Sequence, residues 1–380
     1  MIRTITVARA RHLVAALLLA SVACGLRAQI MELPATPPAA PPARELAAAI
    51  ALILPNQQTV FAQAAEAVRL GFFAAHEAAR SKLAIQVLEV DDDAAQLQAV
   101  IGGARERGVQ IVVGPLLRSG VNAVFDGGYA SVPLVALNYP DRGEAAPPTM
   151  IALGLSAEAE AQYVVRVALA EFVGARRTPS VAPRFVVLAG PGPLERRIAQ
   201  AYIGALRAGG EVPMVFDTAE NGDRLAKLLD PNRHDAVFLA LDAGAAALLR
   251  ARIPRPILIF GTSLLNPGGG AATPAATALA HDLDGVRFVD MPWLVRADAA
   301  MGAGGPLPPT PLSSELARLY ALGVDAYQVA RRWSAGETRF TIEGMTGRLR
   351  IDRGLGPRVE RTPAAAIYRN GTIEREEIGR

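Results

Sequence analysis

At 380 residues, 51% of them apolar and only 20% charged, the chain is too long for one small domain and too apolar to be intrinsically disordered. Its formal charge of +3 does not signal a nucleic-acid partner: Arg3, Arg9, Arg11 and Arg27 stand in an acid-free stretch of 28 residues, and without them 35 basic side chains face 36 acidic ones. A single cysteine, Cys24, excludes an intrachain disulfide, so the fold must rest on apolar burial. Only Lys82 and Lys227 are lysines, against 37 arginines, and the arginines are scattered as a coding bias would leave them rather than gathered into a patch.

The first arginines precede an apolar run from Leu13 to Val22 and then small residues, the build of a secretory signal over residues 1–28. The run is too short for a permanent membrane span. Two cleavage points fit. Leu26-Arg27-Ala28 precedes a cut before Gln29, and Ser21-Val22-Ala23 precedes a cut before Cys24, which would then carry lipid and tether the protein to a membrane. Residues 29–45, with Pro34, Pro37, Pro38, Pro41 and Pro42, read as an extended linker.

The folded part opens on Ala48 to Leu54, a continuous apolar run that suits a strand buried on both faces. A helix is expected over Thr59 to Arg80, with Val60, Ala64, Ala67, Val68, Gly71, Phe72 and Ala75 on one face. Strand, helix and strand follow at Leu83 to Val90, Ala95 to Arg107 and Val109 to Val113, and a further strand at Val132 to Leu137. The alternation resumes with a helix over Ala157 to Val173, a strand over Arg184 to Ala189 and a helix over Leu194 to Ala208. Two more strands are expected at Asp235 to Leu241 and Pro256 to Phe260. Such a series dictates parallel sheets with right-handed crossovers, and the strands are too many for one sheet, so two lobes are expected. The tail differs: Arg339 to Ile342 and Gly347 to Asp352 alternate like half-exposed strands, and Asn370-Gly371 is a hairpin-turn pair.

Several segments resemble the type I periplasmic-binding fold, and within it the leucine/isoleucine/valine-binding branch. They are the opening strand with its proline turn, Ala67-Val-Arg-Leu-Gly71, Asp91 to Asp93, Val112-Val-Gly-Pro115 and Gly344-Met-Thr-Gly-Arg-Leu-Arg-Ile-Asp352. Asp284-Gly-Val-Arg-Phe-Val-Asp-Met-Pro-Trp-Leu294 and Arg318-Leu-Tyr-Ala-Leu-Gly-Val-Asp-Ala-Tyr327 narrow the resemblance. So do Val113-Gly-Pro-Leu-Leu117 and Ala136-Leu-Asn138. These are similar to the outer-membrane lipoprotein activators of class A penicillin-binding proteins.

The resemblance runs from about residue 46 to the end. It implies an α/β, two-lobed type I periplasmic-binding-protein fold, each lobe a mostly parallel sheet with helices on both faces. Lobe 1 would comprise 46–155 plus 292–336, and lobe 2 would comprise 156–290 plus 338–380. The chain would cross between them near 153–157, 289–293 and 335–339, with Met291, Pro292 and Trp293 at the second crossing as a hinge. It also implies a non-catalytic periplasmic regulator, possessing no cofactor, whose partner is a class A penicillin-binding protein. The alternative is an amino-acid-binding component of an ABC transporter. In the activator family a helical-repeat domain precedes this module and the lipobox has Leu where Ser21 stands; here a short linker takes the place of the repeats.

Catalytic and cofactor chemistry finds little support in the residues. Gly190-Pro-Gly-Pro193 lies between a strand and a helix but has Glu195 where a dinucleotide fingerprint needs its last glycine, and its prolines remove donors, so it reads as a tight turn. His76, His234 and His281 are far apart in sequence, and no metal-ligand spacing joins them to carboxylates; Asp91 to Asp93 suit a helix cap rather than a cation. Ser263 in Gly261-Thr-Ser-Leu-Leu265 lacks the second glycine of a nucleophile elbow. The remaining candidates are polar residues at the C-terminal ends of strands, where a cleft between lobes would lie: Arg118, Ser119, Asn138, Tyr139, Thr262 and Ser263. They could grip a zwitterionic amino acid, or merely satisfy loop backbone and zip the lobes shut. The glycine- and proline-rich stretches 266–274 and 301–311 read as loops.

Overall fold

A computed structural model describes residues 49–376 except 92, 128–130, 142–146, 148, 176–183, 269–272, 296–304 and 357. The expected signal, Cys24, the linker, Asp92 and parts of both glycine-rich loops therefore lie outside the described residues.

The first sheet is parallel, in the order β2-β1-β3-β4-β5. Its strands are β1 (Ile50–Pro55), β2 (Ile85–Val90), β3 (Ile111–Val113), β4 (Leu134–Ala136) and β5 (Met150–Ala152). The helices α1 (Ala62–Ala78), α2 (Ala94–Gly102) and α3 (Arg118–Gly127) connect them. All six residues of β1 are buried because it has a core on each face. Ile50, Leu52 and Leu54 join Val68 and Phe72 of α1, while Ala51 and Ile53 join Leu97, Ile101, Val121 and Val124 of α2 and α3. That alternation is the period-2 side-chain rule acting inside a continuous apolar run. Asp93 caps α2 through its carboxylate, which accepts from the N–H groups of Ala95 and Gln96.

The second sheet runs β15-β14-β10-β9-β8-β6-β7. Its parallel strands are β6 (Phe185–Ala189), β7 (Met214–Asp217), β8 (Ala236–Ala240), β9 (Leu258–Gly261) and β10 (Val286–Asp290). Around it lie α4 (Ala157–Ala175), α5 (Pro193–Ala208), the single turns α6 (Thr218–Asn221) and α7 (Leu225–Leu228), α8 (Ala243–Arg250) and α9 (Pro274–Asp282). Its parallel part, read β7-β6-β8-β9-β10, repeats the order of the first sheet, as expected of two equivalent lobes. The hairpin β14 (Ala364–Arg369) and β15 (Thr372–Glu376) extends it antiparallel to β10. Asn370 and Gly371 turn that hairpin, both with positive φ (51° and 78°), the conformation a type I′ turn demands.

Helix α10 (Ser314–Ser334) packs along α1, and the antiparallel strands β11 (Arg339–Gly344), β12 (Gly347–Asp352) and β13 (Glu360–Thr362) follow it. Here the structure differs from the expected lobe boundary. Phe340, Ile342, Leu349, Ile351 and Val359 share the core of Ile50, Phe72 and Tyr327, so residues 339–362 pack with the first lobe and not the second. The physical reason is legible in the alternation: every second residue of β11 and β12 is apolar, and α10 offers the apolar cover beside them. The last crossing accordingly falls at Thr362 to Ala364 rather than near 335–339.

Candidate functional site

The three crossings lie side by side. The first, Leu153 to Ser156, joins β5 to α4; the second leaves β10 at Met291; the third joins β13 to β14. Ala152 bridges Arg358, and Asp290 stands opposite Ala364, so each crossing is in register with the next. Met291 is buried, and Trp293 packs against the first core with its ring 6.3 Å from that of Tyr320. The Trp293 indole N–H is buried without a hydrogen-bond partner.

Two arginine networks fasten this hinge. In the first, Arg318 reaches from α10 into the second lobe. Its Nη2 lies 2.7 Å from Asp290 Oδ2 and its Nε 3.3 Å from Oδ1, and the same Nη2 donates to the carbonyls of Ser263 (3.2 Å) and Asn266 (3.1 Å). Asp290 is fully buried and also accepts from the Asn266 amide (2.8 Å) and the Met291 N–H (2.7 Å). Burial raises the Asp290 carboxyl above its ordinary value, against the downward pull of Arg318. On the other side of the Ser263 turn, the Ser263 N–H donates to Glu160 Oε2 at 3.0 Å. Glu160 keeps some of its surface in water, yet its carboxyl is enclosed; burial first, and the Asp290 charge second, push it up to about 7. Of the two carboxylates only Asp290 is bonded to the Arg318 guanidinium; Glu160 meets it through the Ser263 turn, whose N–H it accepts from and whose carbonyl Arg318 binds.

In the second network, Asp325 sits fully buried in the middle of α10 and accepts from the Met345 N–H (2.9 Å), the Thr346 N–H (2.8 Å) and the Thr346 hydroxyl (2.6 Å). It thereby holds the turn between β11 and β12, where Gly344 approaches so closely that an added Cβ would lie 2.5 Å from Asp325 Oδ2. Thr346 Oγ1 in turn accepts from Arg361 Nε at 3.1 Å, and the two Nη groups of Arg361 donate to Gly154 O (2.6 Å) and Leu153 O (2.8 Å). Arg361 therefore pins the first crossing beside the third.

The residues nominated from the sequence fall into two groups. On the first lobe, Arg118 pairs with Asp141 (3.1 Å), which also accepts from Asn122 (2.7 Å). Those hydrogen bonds, that of Asn122 foremost, hold the Asp141 carboxyl below its ordinary value. Asn138 donates to Leu116 O (3.1 Å) and accepts from the Tyr139 N–H (2.9 Å), and the Tyr139 ring covers Gly154. Ser119 rims a shallow pocket floored by Ile53, Leu54, Leu97 and Leu116. On the second lobe, buried Thr262 caps the turn that carries Ser263, whose backbone binds Glu160 and Arg318 as described. Facing the Arg118–Asp141 pair, Arg197 of α5 binds Glu158 (2.7 Å) and adds to the downward pull on Asp141, which places opposite charges across the mouth of the gap.

Reading the sequence missed Glu160, Asp290, Arg318, Asp325 and Arg361 as site residues. The signal was present for two of them: Asp290 and Asp325 are lone acids inside apolar runs, Phe288-Val-Asp-Met291 and Gly323-Val-Asp-Ala326, where only a paired acid can be buried.

The nucleotide and metal readings gain nothing. At the Gly190 turn the Glu195 carboxylate accepts from the Gly192 N–H (2.6 Å) and fills the helix terminus itself. His76 contacts Leu83 O, and His234 accepts from the Asp230 N–H. Among the described residues no three His, Cys, Asp or Glu side chains gather, and no helix is long and apolar enough to cross a membrane.

Comparison with known proteins agrees with this architecture. A penicillin-binding protein activator LpoA of Photobacterium profundum is 24% identical over 338 residues, 80% of this chain and 53% of that protein. Its counterpart in Edwardsiella piscicida is 25% identical over 312 residues, 69% of this chain and 42% of that one. The chain thus spans about half the length of the curated relatives it matches. Among solved structures, the LpoA (YraM) C-domain from Haemophilus influenzae, a regulator of PBP1A, superposes with a TM-score of 0.67 at 22% identity, over 86% of this chain and 99% of that one. A protein from Chromobacterium violaceum described as "a putative branched-chain amino acid ABC transporter" superposes with the same TM-score of 0.67 at 32% identity, over 84% of this chain and 99% of that one. The model of the family described as "LppC putative lipoprotein" matches residues 44–202 and 227–371, both lobes and the hinge between them, and the chain belongs to that LppC family.

Proposed function

We propose that this protein is a non-catalytic periplasmic regulator that binds a class A penicillin-binding protein and raises its peptidoglycan cross-linking activity. The observation that carries the reading is the condition of the gap between the lobes. Arg118 is paired with Asp141, Asn138 is bonded to Leu116 O, and the Ser263 backbone is bonded to Glu160 and Arg318. Polar groups that would grip a free amino acid serve the protein's own loops and closure, and the outer surface is left as the working face. Membership of the LppC family, with relatives that are penicillin-binding protein activators, supports the same conclusion.

The mechanism is population shift: a regulator raises activity by binding the active conformation of the synthase more tightly than the resting one, and by no more than that difference in affinity. A lipid on Cys24 would hold the protein at the outer membrane. The test is a pull-down and a transpeptidation assay using the mature protein and the class A synthases of its own cell. A complex and a faster cross-linking rate are expected. A synthase that neither binds nor responds, or a free amino acid that raises the melting temperature by several degrees, defeats the proposal.

A further inference from the structure

We propose that the groove between the end of α10 and the free edge of β11 is a peptide-docking site, and that it takes a short extended segment bearing a carboxylate from a partner protein. This goes beyond the regulatory reading above: it assigns a surface and a partner chemistry that hold whichever protein supplies the segment.

The groove follows from strand register. In β12, Arg348 and Arg350 pair with β13, so the backbone groups of Gly347, Leu349 and Ile351 turn toward β11 and meet Gly344, Ile342 and Phe340. The backbone groups of the residues between, Arg339, Thr341 and Glu343, then point away from the sheet, of which β11 is an edge strand. One contact marks that direction: the Thr341 carbonyl accepts from Arg332 Nη1 of α10 at 2.8 Å. Arg332 blunts the edge at this one carbonyl, while the Thr341 N–H and both backbone groups of Glu343 meet no partner among the described residues.

Helix α10 supplies the facing wall. Gln328, Arg331, Arg332 and Ala335 recur on one face at helical spacing. With Thr341 and Glu343 they line a groove of 440 Å³, within the range of about 300–1,000 Å³ that ligand sites occupy. A free strand edge is where an extended peptide adds as a further strand, held by main-chain hydrogen bonds and selected by the side chains along its path. Thr341 and Glu343 stand about 7 Å apart along the strand, so a segment of about three residues meets both.

Charge selects the segment. Arg332 is bound to Glu337 (3.0 Å) and lies over the Phe340 ring, 5.0 Å from its centroid, and Glu343 is bound to Arg348 (3.2 Å). Arg331 is exposed, and its guanidinium has no ion-pair partner among the described residues. The groove therefore keeps one positive charge to be matched, and an Asp or Glu of the incoming strand matches it.

The experiment selects a random heptapeptide library, displayed on phage, against the mature protein. Thr341→Pro removes the free N–H and no bond to β12, and Arg331→Glu changes an exposed side chain, so both variants are expected to melt with the parent. Enriched peptides are expected to share one Asp or Glu within a β-prone stretch. Resynthesised and measured by fluorescence anisotropy, they are expected to bind each variant about tenfold more weakly than the parent. Replacing their acid by Lys is expected to weaken binding to the parent and to restore it on Arg331→Glu. A selection that enriches nothing, peptides that share no acid, or peptides that bind both variants as tightly as the parent overturn the proposal. So does a parent that sediments as a dimer beside a monomeric Thr341→Pro, since the groove would then belong to a second copy. Arg331→Glu decides the matter alone if Thr341→Pro fails to fold.

Discussion

Helices α1 and α10 cross at their glycines, and a single methyl group there should unseat the first lobe. A Cβ on Gly71 would lie 2.0 Å from the Tyr320 carbonyl oxygen, and one on Gly323 would lie 2.1 Å from the Val68 carbonyl oxygen. Both obstacles are backbone, so neither can swing aside as a side chain would. Restoring ordinary contact requires the helices to separate by about 1.4 Å along a seam where Phe72 and Tyr327 are fully buried, which opens voids beside the methyl that caused them.

Overpacking of this kind costs about 3 kcal/mol at the upper end of its range. With an unfolding entropy of about 0.6 kcal/mol/K for the roughly 300 residues described, Gly71→Ala or Gly323→Ala should lower Tm by about 5 °C. The double variant should cost less than the sum, because one separation relieves both clashes. Gly204 supplies the control: it lies inside α5 with nothing within 4 Å of an added Cβ, so Gly204→Ala should gain about 0.5–1 kcal/mol. Thermal unfolding followed by circular dichroism measures all four. Helix-crossing variants that melt within 1 °C of the parent would refute the close approach.

Other consequences follow from the hinge. Asp325→Ala strands two N–H donors and a hydroxyl in the first core and should cost about 3 kcal/mol in urea unfolding, with Asp325→Asn intermediate because it keeps one acceptor. Glu160 is an acid whose folded value, about 7, lies above its unfolded one, so its contribution is fully present below about pH 4.5 and is lost as pH rises through 7. Allowing for its remaining contact with water, Glu160→Gln should therefore be more stable than the parent by about 2 kcal/mol at pH 8.5 and no more stable at pH 4.5, as chemical denaturation at the two pH values will show. Trp293→Phe forfeits no hydrogen bond, since the indole N–H has none, and should cost no more than about 1.5 kcal/mol. A larger loss would mean that the indole nitrogen is engaged.

Most of the architecture was open to reading from the residues, for reasons the structure makes concrete. Long apolar runs such as Ile50–Pro55 have one physical solution, a strand covered on both faces, and the Asn370-Gly371 pair has one turn it can make at low cost. What escaped reading is short or depends on distant cover. Strands β5 and β7 are three and four residues long, and β7 is largely exposed at the sheet edge, so neither has a period to detect. Val60, assigned to the buried face of the first helix, stands before its start and is 92% exposed. The lobe assignment of residues 339–362 failed because alternation reveals that a face must be covered without saying by what; the cover is α10 and the first core. At the site, loop-end polar residues were chosen because open α/β sheets place ligands there, whereas Glu160 and Arg361 meet partners 103 and 208 residues away in the chain and Arg318 meets partners 28 to 55 residues away.

The most direct test of the central claim is the cross-linking rate of a purified class A penicillin-binding protein from the same cell, measured with and without the mature protein. A rise in transpeptidation that saturates with added protein, at unchanged synthase concentration, is the predicted result. An unaltered rate at concentrations well above those of the synthase would contradict it.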